Sequence, residues 1–421
     1  MTPVTRRTFL KTSAAATIAA TAQANTAPNE IINVAVIGCR NRGRQVAGYF
    51  QQAGDFRITH LCDCDSAMSG DALGKLEESL SNRPETVSDF RRVLDNRDVD
   101  AVVIATPDHW HGLMTTMALD AGKHVYLEKP ASYNIGDGKA MLAAHARHPE
   151  LTVHIGTQQR SGDHFRDAKA FIDAGGLGDV AFARAWITHT RDAIAPVPDT
   201  APPDTLDYEM WVGPAPMHPY NENRTHYNWH WVRDWGTGEM GNWGAHWLDV
   251  ARWFLDLGVP RSVSAHGGCF VGDDIKEWPD TQTVLYEYPE LTLLWEQRLW
   301  TEYTANRMRS GVECAGDKGT LLIDRSGWTV HPRDGKIERH GKSELVVSHA
   351  RNFADAVRGV AHSNAPLIEG HRSAILCHLG NIATLVNRRL EFDAENETIL
   401  NDAEAAAFEY RATREPWPNP A

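Results

Sequence analysis

One short passage constrains this chain more than any other. A β-branched apolar run, Ile31 to Ile37, ends on Gly38-Cys39-Arg40-Asn41-Arg42-Gly43 and passes directly into a helix-like stretch, Arg44 to Ala53. Strand, glycine turn and helix gather backbone N–H groups and the positive end of a helix dipole at one point, the setting in which a pyrophosphate rests. A second strand, Arg57 to Cys62, delivers Asp63 twenty residues beyond Gly43, where a carboxylate can accept hydrogen bonds from ribose hydroxyls. That carboxylate repels a 2′-phosphate and favours NAD. Arg40 and Arg42 each carry a guanidinium able to pair with such a phosphate, so NADP stays open. The middle glycine of the G-x-G-x-x-G pattern is Arg40 here.

The alternation continues. Asp100 to Thr106 reads as a buried strand closed by Thr106-Pro107, Trp110 to Ala121 as a helix, and His124 to Leu127 as a strand leading into Glu128-Lys129-Pro130. A helix over 135–146 and a strand from Leu151 to Ile155 complete the unit. Repeated strand–helix units predict a doubly wound parallel sheet, a Rossmann domain over residues 31–155. From 156 the pattern changes. After a helix from Phe165 to Ala174, strands are expected at 180–190, 262–270, 281–288, 291–300, 311–315 and 319–331, as one open, mostly antiparallel sheet. Helices near 349–360 and 372–389 should pack back, towards the first domain or across that sheet. The fold class is therefore α/β, with a C-terminal α+β domain over 156–411 and an extended arm over 412–421. Pro196–Pro203 and the arm read as solvated or oligomer-binding segments.

Residues 1–30 are set apart. Thr5-Arg6-Arg7-Thr8-Phe9-Leu10-Lys11, an Ala/Thr-rich stretch and Ala22-Gln23-Ala24 are the parts of a cleavable export signal, and the paired arginines resemble the twin-arginine type. They predict a periplasmic or otherwise exported protein. Such a route carries folded proteins with cofactor already loaded.

The residues at 38–43, Ala105-Thr106-Pro107-Asp108-His109 with His111, Gly122-Lys123-His124-Val125, and above all Glu128-Lys129-Pro130 resemble the Gfo/Idh/MocA oxidoreductase family. The similarity runs on through Gly176-Leu177-Gly178-Asp179, the His246 region and Asn352-Phe353. It implies a cofactor site built from Gly38, Arg40, Asn41, Arg42, Gly43, Asp63, Thr106, Pro107, Asp108, His111, Glu128 and Lys129. It also implies that His246 accepts the proton of a secondary alcohol while Lys129 orients that alcohol. Many relatives carry Asp four residues before this histidine; here Asn242 stands there, and an amide cannot balance an imidazolium.

Helical spacing puts Asn242, His246, Asp249 and Trp253 on one face, the candidate active face, and Trp243, Trp247, Val250 and Phe254 on a core stripe. Six of the fourteen tryptophans fall between Trp229 and Trp253, amid His, Tyr and Asn, which suits the flat apolar faces and hydroxyl rims of a sugar. Substrate contacts are expected from Tyr227, Trp231, Asp249 and Arg160, the last beside the crossing between domains. The expected activity is oxidation of a secondary hydroxyl of a sugar, glycoside or cyclitol with retained NAD. One alternative is a redox-neutral glycosidase or lyase working through a keto-sugar. Another is a sugar-binding protein with a degraded phosphate turn.

Composition narrows the partners. Lys+Arg number 42 against 55 Asp+Glu, a net charge of −13, which repels phosphate backbones and anionic lipid and argues against nucleic acid or membrane surfaces. The six cysteines include no Cys-x-x-Cys pair and read as buried thiols. Asp108-His109-Trp110-His111 and His226-x-x-x-His230 offer ligand spacing, yet the motif context gives His111 a cofactor or loop contact, and no metal is expected. A homodimer or homotetramer is expected from the resemblance.

Overall fold

The computed structural model describes residues 30–303 and 307–420. The export signal lies outside the described residues. Among those described, the strands form two sheets, of six and ten strands.

The first sheet contains β1 (Ile32–Ile37), β2 (Phe56–Cys62), β3 (Glu85–Val87), β4 (Ala101–Ile104), β5 (His124–Leu127) and β6 (Val153–Ile155). They are parallel, in the order β3-β2-β1-β4-β5-β6. β1 is buried at five of six positions because helices cover both faces, which is why it reads as an unbroken apolar run. The order reverses between β1 and β4, and ligands bind open α/β sheets at that switch point, beyond the strands' carboxyl ends. β3 lacked a sequence signal. Its three residues are too few for a period, and two are exposed.

The second sheet comprises β7 (Val180–Thr188), β8 (Ser262–Gly268), β9 (Thr281–Glu287), β10 (Thr292–Arg298), β11 (Ser310–Gly316), β12 (Gly319–Asp324), β13 (Gly327–Pro332), β14 (Glu338–Gly341), β15 (Leu390–Asp393) and β16 (Thr398–Leu400). All neighbours are antiparallel except β7 and β10. The expected strand 319–331 is two strands joined at Arg325-Ser326. β14 escaped notice because Glu-Arg-His-Gly is exposed throughout.

Two C-terminal helices join the lobes. Val346–Val357 packs on Asn41–Ala53, with Phe353 stacked on Phe56 at 6.0 Å and near Phe50 at 5.9 Å. Leu367–Val386 spans from the Ile135–Arg147 helix to β8 and β9. The C-terminal arm, expected to be solvated or to bind another copy, docks across both domains of its own chain while staying partly exposed. Trp417 meets Trp110 edge-on at 4.8 Å, and Arg414 pairs with Glu209. The cysteines are all free thiols, but Cys269 is exposed and Cys64 half-buried, so only four are the expected buried ones.

Candidate active site

The site lies where β1, β4 and β5 end. Gly38 has φ +87°, and a Cβ there would sit 2.6 Å from the Ala105 carbonyl oxygen; a Cβ on Gly43 would sit 1.8 Å from the Gly38 carbonyl oxygen. Both must be glycine for the turn to close. Arg40, by contrast, has φ −66° and caps the Asn41–Ala53 helix without a side-chain bond, so its backbone makes no demand for glycine. Its side chain leaves the turn: Nη1 donates to the His226 carbonyl at 2.9 Å. With no acidic residue in the first turn, that helix presents bare N–H groups to an anion.

A cavity of about 560 Å³ opens above this turn. Gly38, Arg40, Asn41, Arg42, Asp63, Thr106, Pro107, Asp108, Glu128 and Lys129 line it on the Rossmann side. Asn242 and His246 line it from the other lobe. Gly43 lies beneath the turn. Asp63 accepts from the backbone N–H of Cys39 at 2.8 Å and of Asp65 at 3.0 Å. Burial outweighs these bonds and pushes its carboxyl up to about 6. Arg42 Nε meets Glu128 Oε1 at 2.5 Å; burial works against its charge, but Glu128 more than restores it. The orphaned Thr106 hydroxyl and the bare helix end fit a dinucleotide's polar groups.

Lys129 is buried. Its Nζ donates to the Asn242 carbonyl at 2.9 Å and to Asn242 Oδ1 at 3.0 Å, leaving one N–H for the cleft. Burial pulls its pKa down, against the pull of Glu128 and Asp108. His246 stands one turn beyond Asn242 and is buried. Desolvation, then the charges of Arg325 and Lys129, hold it well below the usual histidine range, so it stands neutral. Its Nδ1 has no hydrogen-bond partner.

Several expected residues fall elsewhere. His111 is not on the cavity lining; its ring bridges the Pro130 and Thr106 carbonyls at 2.7 and 3.0 Å and clamps two cleft loops together. Arg160 and Asp249 bind each other bidentately at 2.8 Å, inside a buried network with Glu369 and Ser373. Each answers the other's charge beside the cleft, not in it. Trp231 packs with Ile194 and Trp278, while its neighbours Trp229 and His230 line the cavity stacked at 3.7 Å, together with Tyr227. Burial lowers His230 to about 3. His109 is wedged between the Trp211 and Trp235 carbonyls, and among the described residues no group of three or more His, Cys, Asp or Glu could hold a metal ion.

The helical spacing failed for a specific reason. Residues 240–244 form a π-turn before the α-helix Ala245–Phe254. The wider turn shifts the register across the junction, so Trp243, still packed against the core and stacked on Trp247, also reaches the cavity wall. Asp249 lies beyond the turn and is held off the cleft by Arg160.

Gln158, in the Gln158-Gln159-Arg160 stretch expected at the pocket's edge, lines the wall, whereas His189, Arg191 and Arg325 of the second lobe carried no sequence signal. Arg191 joins Tyr227 Oη at 2.8 Å to the fully buried Glu239 at 2.9 Å, and Glu239 faces the Asn242 amide at 3.4 Å. The carboxylate missing at position 242 thus reappears three residues earlier, fixing the amide so that Oδ1 faces Lys129.

Within the segment 190–235, residues 205, 207 and 226 strap the chain over the Asp63 side of the cleft. Asp207 N–H donates to the Cys64 carbonyl, Ser66 N–H to the Thr205 carbonyl (both 2.9 Å), and His226 meets Asp65 at 3.1 Å.

Comparison with known proteins agrees with this architecture. Residues 32–157 match the oxidoreductase family model described as an NAD-binding Rossmann fold, and residues 176–294 and 335–419 match its C-terminal alpha/beta domain. The uncharacterized oxidoreductase YrbE of Bacillus subtilis is 34% identical over 244 residues, 57% of this chain and 59% of that protein. A protein of Shewanella sp. (strain ANA-3) called glycosyl hydrolase family 109 protein 2 is 35% identical over 108 residues, 25% of this chain and 24% of its own. The match therefore spans 59% or less of the length of these relatives. Among solved structures, aldose-aldose oxidoreductase from Caulobacter crescentus, complexed with glycerol, superposes with a TM-score of 0.68 at 18% identity, over 86% of this chain and all of that one. A glycine turn at the switch point, a cleft between two lobes and matches over both domains lead to one statement: the chain belongs to the Gfo/Idh/MocA oxidoreductase family and carries its NAD-binding Rossmann domain.

Proposed function

We propose that the protein is an exported oxidoreductase acting on a secondary hydroxyl of a sugar, glycoside or cyclitol, with NAD tightly retained. The observation that carries this reading is that Lys129 and His246, from opposite lobes, line one cavity above the phosphate turn. NAD, when bound, supplies a hydride acceptor. The uncapped helix end and Gly38 hold its phosphates, and Asp63 accepts from its ribose hydroxyls. NAD is favoured over NADP because both candidate guanidinia are engaged, Arg42 by Glu128 and Arg40 by the His226 carbonyl.

The chain's own residues manage the proton. The substrate hydroxyl sits between Lys129 Nζ and the His246 ring. His246, held neutral by its surroundings, takes the hydroxyl proton as the carbon is oxidised. The remaining N–H of Lys129 donates to the oxygen as negative charge grows there, and Asn242 keeps the ammonium aimed. Trp229, His230, Tyr227 and Trp243 exclude water and offer flat faces to the ring.

Retention is supported by the strap over the adenosine side and by the twin-arginine-like start, since free NAD is scarce outside the cytoplasm. Assembly as a homodimer or homotetramer is in keeping with the ten-stranded sheet, whose face away from the helices exposes Leu285. Purifying the protein without added cofactor and assaying the denatured supernatant tests the reading. Stoichiometric nicotinamide, plus hydride exchange with a C-deuterated sugar, is expected; its absence overturns retention. A redox-neutral glycosidase acting through a keto-sugar is the second reading, favoured by the relative named glycosyl hydrolase family 109. Aglycone release with no net change in bound NAD would select it.

A further inference from the structure

The arginines of the cleft are matched, with one exception. Arg42 has Glu128, Arg191 has Glu239 and Tyr227, and Arg40 has a carbonyl. Arg325, at the turn between β12 and β13, lies with its guanidinium 5.0 Å above the Trp243 ring and lines the same cavity. Its Nε and Nη2 are buried without a hydrogen-bond partner, and among the described residues it makes no ion pair. A buried guanidinium with two idle donors is costly unless something answers it. Burial, then the neighbouring charge of Arg42, pulls it down to about 10, against Glu128, so it still carries its charge at neutral pH.

We infer that Arg325 is the receptor for a carboxylate on the substrate, so that the substrate is an acidic sugar, a uronate or an aldonate. This rests on the reading of the cleft as a sugar oxidoreductase site. The fork of a guanidinium matches a carboxylate bidentately, and the Trp243 ring beneath fixes its plane. Although Arg42 of the phosphate turn is a neighbouring charge, this group differs from the holders of the dinucleotide phosphates in the lobe that anchors it. Those belong at the uncapped helix end on the Rossmann side, whereas Arg325 comes from the opposite lobe and is the strongest charge acting on His246, the proton acceptor. A carboxylate docked there cancels a charge that disfavours imidazolium, so binding an acidic sugar prepares His246 to take the proton. A neutral sugar leaves that cost in place.

The test uses the holoprotein and calorimetric titration with a panel of hexuronates and aldonates, each beside its uncharged primary amide. At least one acid is expected to bind on the order of tenfold to hundredfold more tightly than its amide. Arg325→Met should erase that difference and Arg325→Lys restore part of it, with bound nicotinamide unchanged in both. Equal affinity of acid and amide across the panel, or binding of neither, overturns the inference, as does loss of nicotinamide from Arg325→Met, which would make Arg325 a dinucleotide contact. A wild-type protein that neither binds added NAD nor exchanges hydride with any sugar sinks the oxidoreductase reading instead, and neutral sugars oxidised as well as acids sink only this one.

Discussion

The two halves of the cleft are built on different principles. The Rossmann half is mostly backbone: two glycines, a bare helix end and the carboxyl ends of β1, β4 and β5. The opposite half is mostly side chain, delivered by a π-turn, a strap and a sheet turn far apart in sequence. Adding atoms should therefore break the first half and removing them the second.

The largest effect should come from His246→Ala. Turnover is expected to fall by about 10²–10⁴ while bound nicotinamide stays unchanged, measured by single-turnover absorbance on the holoprotein. A normal rate would remove His246 from the proton's path. Gly43→Ala should do the reverse. A Cβ 1.8 Å from the Gly38 carbonyl forces the turn open, and nicotinamide should be missing from a protein that still folds by circular dichroism. Phe353→Ala probes the seam between the halves and should cost about 3–5 kcal/mol in urea unfolding. Retained stability would show that the lobes do not depend on that ring.

Smaller effects sharpen the contrast. Ribose hydroxyls favour ionised Asp63, so the complex lowers its pKa from about 6 in the free protein. NAD affinity in refolded, cofactor-free protein should be full above that pH and fall up to about tenfold per unit as pH drops through it. Asp63→Asn should flatten the profile. The smallest change is expected from Arg40→Ala. Its backbone already suits the turn, so NAD affinity should shift less than about threefold, the low end of one half-buried hydrogen bond.

Legibility followed the same division. The Ile31–Gly43 passage and Glu128-Lys129-Pro130 could be read because backbone sites need consecutive residues in a fixed order. His246 could be read from its motif. Arg191 and Arg325 could not, since a strap and a sheet turn supply them with no spacing that relates them to Lys129. Arg160 and Asp249 looked like substrate contacts for want of knowing that they face each other. Trp243 reached the cavity wall as well as the core through one wide turn, which no period of 3.6 anticipates. The arm was misread because Trp417 has no local partner; Trp110, which receives it, lies most of the chain away.

The strap has a consequence for how the molecule is made. The phosphate turn and the sheet beneath it belong to chain that leaves the ribosome early, and residues 190–235 emerge only afterwards. During synthesis the adenosine side is thus a floor without a roof. A dinucleotide that enters in that interval is enclosed when the later chain bonds to Cys64, Asp65 and Ser66. Under the retention proposed above, the strap slows exchange, so a population starved of cofactor while being translated should fill only slowly when cofactor is supplied later.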